Sequence, residues 1–115
     1  MVHYAAEAAK NLEAEGVSVE IIDLRTVYPL DRDTIIASAR KTGKCLVLYE
    51  DNFSVSIGSE VAALIADEAW KWLDAPVKRF GGLDVPSMPY AVPMEEYFMP
   101  TPEKITKVLK DLAAF

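Results

Sequence analysis

The chain has 115 residues, 51% of them apolar and 26% charged, which suffices for one domain with a single core. Its net charge is −6, and basic residues adjoin only at Arg40-Lys41 and Lys78-Arg79, which argues against nucleic acid, since phosphate recognition needs clustered Lys and Arg. No apolar run approaches the roughly 20 residues of a membrane span, and Met1-Val-His-Tyr-Ala-Ala-Glu lacks the basic head and apolar stretch of a signal peptide.

The first segment, Ala5 to Glu15, is rich in Ala, Glu and Lys and predicts a helix whose small apolar stripe is Ala5, Ala8, Ala9 and Leu12. Gly16 stands where that helix would stop. The period then changes to two over Val17–Leu24, which predicts a strand covered on both faces over its second half. Thr26 to Asp31 is a connection, since Pro29 cannot continue a ladder. Asp31 suits the N-cap of a second helix with Ile35, Ile36 and Ala39 inside, and Lys41-Thr-Gly43 supplies a cationic last turn and a glycine stop. Cys45-Leu-Val-Leu-Tyr49 is apolar throughout, as a parallel strand buried on both faces would be.

A polar loop, Glu50 to Gly58, follows that strand. Ser59 then caps a third helix, with Val61, Leu64, Ile65, Ala69 and Trp72 inward and Trp70 more exposed. Asp74-Ala-Pro76 ends it, and Val77–Phe80 reads as a short strand. Between Gly81 and Pro100 a proline recurs every few residues, which excludes a long helix and implies an extended surface connection. Its aromatic and methionine content, Met88 to Met94 and Tyr97-Phe98-Met99, suits either the chain's own core or a partner. Thr101 as cap and Pro102 at the first helical position begin a last helix with Ile105, Val108, Leu109 and Leu112 on one face. This alternation predicts an α/β fold: a mostly parallel sheet in three layers, α/β/α, over 1–115 as one domain. Three strands are few for four helices, and the chain opens on a helix, so a first central strand is expected to be missing before Met1.

The search for chemistry returns absences. There is no phosphate loop, dinucleotide fingerprint, nucleophile elbow, CxxC or HExxH, and Gly81-Gly82 reads as a lone pair within a loop. His3 has no second histidine to complete a metal site, and Cys45 reads as a buried thiol of a reducing compartment. The acidic pair Glu50-Asp51 lies where open α/β sheets place functional loops. A response-regulator arrangement fits poorly: Asp23 falls inside its strand end, and Lys78 lies within the last strand rather than after it. No catalytic, cofactor-binding or metal residue is expected here. Glu50, Asp51, Asn52 and Phe53 form a candidate interface loop.

Four ordered motifs carry a resemblance. Ile22-Asp-Leu-Arg-Thr-Val-Tyr-Pro-Leu-Asp31 is similar to a segment of the transketolase carboxy-terminal domain family. So are Leu48-Tyr-Glu-Asp-Asn52 with Gly58 to Ala66, Leu73 to Arg79, and Asp84-Val-Pro followed by Pro89-Tyr90. The nearest resemblance is to beta subunits of 2-oxo acid dehydrogenases of the pyruvate, branched-chain and acetoin types. It implies an assembly and docking domain of an oxidoreductase that decarboxylates a 2-oxo acid and acylates lipoamide, non-catalytic in isolation. Thiamine diphosphate and magnesium would be bound elsewhere in the parent enzyme, and none by this chain. The implied partners are the alpha subunit, a second beta subunit and the dihydrolipoyl acyltransferase core. For that core, Glu103, Asp111 and the terminal carboxylate of Phe115 are the candidate contacts with a basic binding domain. The isolated chain is expected to form a homodimer through apolar surface, in the cytoplasm or, in a eukaryote, the mitochondrial matrix. The alternatives are the equivalent domain of a transketolase or deoxyxylulose-phosphate synthase, or a free-standing module binding small organic anions. One departure is Ser54-Val-Ser-Ile-Gly58, where relatives often carry paired glycines.

Overall fold

The structure is a computed structural model and describes residues 1–115. Helix α1 spans Val2–Glu13 and buries Ala8 and Leu12, two members of the expected stripe. Helix α2 spans Arg32–Thr42. The Asp31 carboxylate accepts from the Thr34 amide at its start, and Gly43 closes it in the left-handed conformation (φ 70°). Strand β1 is Leu46–Asn52, α3 is Ile57–Glu68 and β2 is Lys78–Gly82. A two-turn helix α4, Val92–Phe98, interrupts the proline-rich stretch, because Pro93 sits in the first turn, where no amide partner is lost. Helix α5 is Pro102–Ala113, capped by Thr101 as its sequence predicts.

Strands β1 and β2 pair in parallel, Leu46 opposite Lys78 and Leu48 opposite Phe80, with an irregularity before Asn52 meets Gly82. Side chains alternate across β1 and so meet different helices. Cys45 and Val47 pack towards α2 and α3, against Ile35, Ile36, Ala39, Val61, Ile65 and Ala69. Leu46 and Leu48 turn to the other layer, facing Ile105, Leu109 and Leu112 of α5, which itself packs on α1. The three layers and the parallel pairing are those expected.

Four expectations need correction. Val17–Leu24 is extended but forms no strand: from Ser18 to Asp23 no backbone–backbone hydrogen bond is made, so the sheet has two strands, not three. Period-two patterning supplies the faces of a strand but not the partner that completes its ladder. Helix α3 starts at Ile57 after Ser56 rather than at a Ser59 cap, and it ends at Glu68. Trp72 therefore lies not on its inner face but in a 3-10 turn, Trp70–Trp72, nearly half exposed, with the Arg40 guanidinium 4.4 Å over its ring. Gly81 and Gly82 belong to β2, not to a loop.

Candidate functional site

The carboxyl ends of β1 and β2 lie side by side and carry the most organised polar cluster of the molecule. Glu50, Asp51 and Asn52 are the exposed end of β1, a strand end rather than the loop expected, and Phe53 follows them. The turn from Phe53 to Ser56 is fixed from below by Arg79, whose guanidinium donates to the Ser59 hydroxyl at 2.6 Å and the Phe53 carbonyl at 3.0 Å. The same guanidinium lies 4.1 Å from the centre of the Phe53 ring. The Tyr49 hydroxyl donates to the Phe53 carbonyl at 3.1 Å. From the side, Asp84 accepts from the Ser54 amide (2.8 Å) and hydroxyl (2.7 Å). Those two bonds, helped by the nearby Arg79 charge, hold the Asp84 carboxyl below its usual range.

Glycines make this arrangement possible. A Cβ on Gly58 or on Gly81 would overlap the Tyr49 ring, so the ring is clamped between two stretches of main chain. A Cβ on Gly82 would strike the Glu50 carbonyl and the Phe98 ring. Val55, by contrast, holds φ 55°, a region β-branched residues avoid, and is fully exposed. It sits in the stretch where relatives often carry glycines, so the strain is a consequence of that departure. Around the cluster, Phe53, Leu83, Tyr90, Met94 and Tyr97 also expose large apolar area. Scattered exposed side chains are ordinary, but one fixed turn bearing Phe53 and Val55, tied to Asp84 at the start of the segment bearing Leu83 and Tyr90, is a contact surface.

The second set expected from sequence lies on α5. Glu103 occupies its first turn, where its own amide and the Thr101 hydroxyl hold its carboxyl below the usual range. Asp111 and Phe115 are exposed at the other end. Eight residues of helix put Asp111 about 12 Å from Glu103, with exposed Lys107 one turn from each. The structure brings Asp111 and Phe115 to one end but does not gather Glu103 with them. Lys104 turns inward and donates to the carbonyls of Glu96, Tyr97 and Met99, each at 2.8 Å, closing the end of α4.

His3 is exposed on α1, and burial pushes the Cys45 thiol up. No three His, Cys, Asp or Glu side chains converge, so these residues do not assemble a magnesium site for thiamine diphosphate. No helix is long and apolar enough to cross a membrane. Sequence reasoning found Glu50–Phe53 but missed Arg79, Asp84, Tyr49 and the two glycines that hold them. The available signal was an arginine in a short strand two residues before a glycine pair, with an aspartate just after.

The family description "Transketolase, C-terminal domain" matches residues 1–105. The chain is 52% identical over 114 residues to the 2-oxoisovalerate dehydrogenase subunit beta of Bacillus subtilis, covering 99% of this chain and 35% of that one. It is 44% identical over 110 residues to the mitochondrial pyruvate dehydrogenase beta-1 subunit of Oryza sativa, covering 96% and 29%. Among solved structures it superposes on a split gene transketolase, an inactive beta4 tetramer, with TM-score 0.81 and 28% identity over 97% of this chain and 36% of that one. The chain thus spans about a third of the length of the curated relatives it matches.

Proposed function

Because this chain belongs to the transketolase C-terminal domain family, we propose that it is the assembly and partner-docking domain of a 2-oxo acid dehydrogenase beta subunit and carries no active site of its own. One observation carries the reading: near-complete coverage of this chain, at 44–52% identity, by beta subunits of dehydrogenases acting on two different 2-oxo acids. In this reading thiamine diphosphate, magnesium and substrate are handled by parts of the parent enzyme outside these 115 residues. The setting is the cytoplasm, or the mitochondrial matrix in a eukaryote.

Two surfaces divide the work. The Glu50–Val55 turn, with Phe53 and Val55 outermost, faces the alpha subunit or the second beta subunit. The α5 end, with Asp111 and the carboxylate of Phe115, meets a basic binding domain of the dihydrolipoyl acyltransferase core, and Glu103 adds charge further along the helix. A net charge of −6 supports steering of such a partner. Calorimetry with that binding domain at low ionic strength tests the second surface. Asp111→Asn combined with removal of Phe115 should weaken binding roughly tenfold or more, with a smaller loss for Glu103→Gln. Unchanged affinity in all of them overturns the docking assignment.

A further inference from the structure

The unpaired segment Ser18–Asp23 lies beside β1, on the edge opposite β2, yet does not bond to it. Two clefts separate them. One, of about 280 Å³, opens between Val17–Ile22 and Leu46 and Leu48 beneath α1 and α5. The other, of about 160 Å³, opens between Glu20, Ile22 and Leu24 and the same stretch of β1 beneath α2 and α3. Since Leu46 and Leu48 border both, the clefts are the two sides of one slit through the sheet layer, from one helical layer to the other. Its walls are two extended main chains, each with a free edge, and its lining above and below is apolar. Ile21 and Ile22 remain more than a third exposed, and Leu46 and Leu48 only half-buried, for want of anything between them.

We propose that this slit is a strand slot: it takes one extended segment of another polypeptide, which pairs with β1 on one side and Ser18–Asp23 on the other. The chemistry of the occupant follows from the walls. Two free edges demand a main chain able to donate and accept on both sides, which excludes proline. Helices above and below demand apolar side chains on both faces, a continuous run rather than an alternating one. The seven residues of β1 set a length of about five to seven residues. A second copy of the chain offers no such strand. Its own unpaired extended stretch is a wall of its slot, and its segment from 83 to 91 carries Pro86 and Pro89.

The probe is the capped octapeptide Lys-Val-Val-Ile-Leu-Val-Glu-Lys, titrated into the intact 115-residue chain, with amide shifts read by NMR and affinity by fluorescence anisotropy. Saturable one-to-one binding is expected, with shifts concentrated in residues 18–24 and 46–50 and new exchange protection at both. N-methylation of alternate amides along one edge should weaken binding at least roughly tenfold, because each lost bond leaves a buried group unpaired. Replacing every second apolar residue by Ser should do the same. No binding, equal binding of the N-methylated peptide, or shifts elsewhere overturn the slot. So does a chain that self-associates with residues 18–24 already protected before peptide is added, since a second copy would then be the occupant.

Discussion

Strand β1 has two edges and meets a different neighbour along each. On one, β2 supplies a parallel ladder, Tyr49 is clamped by Gly58 and Gly81, and Arg79 and Asp84 fix the turn that follows. On the other, Ser18–Asp23 runs alongside with no main-chain bond. Polar attachment there comes from Glu20, whose carboxylate pairs with Lys41 of α2 and is held below its usual range by that lysine and by Ser38. Both neighbours are apolar and β-prone in sequence. Hydrophobic pattern therefore decides which way side chains face, while pairing decides whether a strand exists.

The largest effect belongs to the paired edge. Gly58→Ala gains roughly 0.5–1 kcal/mol of helix propensity, since Gly58 lies in the first turn of α3. It also drives a methyl into a Tyr49 ring that Gly81 prevents from retreating, an overpacking that costs about 1–3 kcal/mol or more. The clash wins, and a net loss of about 2 kcal/mol should lower the melting temperature by on the order of 10 °C. A variant as stable as wild type would show that the clamp is slack. Hydrogen exchange compares the edges directly. Amides of 18–23 should exchange within about tenfold of unstructured rates, and amides of β1 bonded to β2 on the order of a hundredfold slower. Equal protection would mean that the slit closes in solution.

Val55→Gly separates stability from contact. Relief of the left-handed strain is worth about 1–2 kcal/mol, against roughly 0.5–1 kcal/mol of added chain entropy. The variant should be more stable by about 0.5–1 kcal/mol in chemical denaturation, while affinity for the neighbouring subunit falls as the exposed methyls are lost. A variant with unchanged stability and full affinity would remove Val55 from the contact surface.

The same division governs what the residues disclosed in advance. Caps and stops were legible because their chemistry is local: Asp31 and Thr101 satisfy amides three residues on, and Gly43 takes the left-handed turn. Inner faces were legible from spacing, as Ile35, Ile36, Ala39, Val61 and Ile65 all pack inside. Trp72 was misplaced because spacing was extended past the point where α3 stops, at Glu68. At the contact turn, acidic Glu50–Asn52 stood out by composition, but Arg79 and Asp84 act over separations of 20 to 30 residues that no window reveals. The four ordered motifs named the family without indicating that glycines and an arginine build its turn.

Acid should loosen both edges by small amounts and by different routes. Asp84 and Glu20 are each held below their ordinary values of 3.8 and 4.5, Asp84 chiefly by the Ser54 hydroxyl and amide, Glu20 chiefly by Lys41. A carboxylate depressed in the folded state contributes stability that is present above its unfolded value and lost as pH falls through its folded one. Thermal unfolding should therefore shift downward on acidification below about pH 4.5, the unfolded glutamate range. Asp84→Asn should melt slightly below wild type at pH 7, and the difference should shrink towards pH 3. Glu20→Gln should behave likewise, but its deficit at pH 7 should also fade in molar salt, because the Lys41 pair is exposed and screened. The Asp84 deficit should persist in salt, being mainly hydrogen bonding. If salt erased both equally, Asp84 would be acting as a surface charge, and the turn it holds would be no better fixed than the unpaired wall.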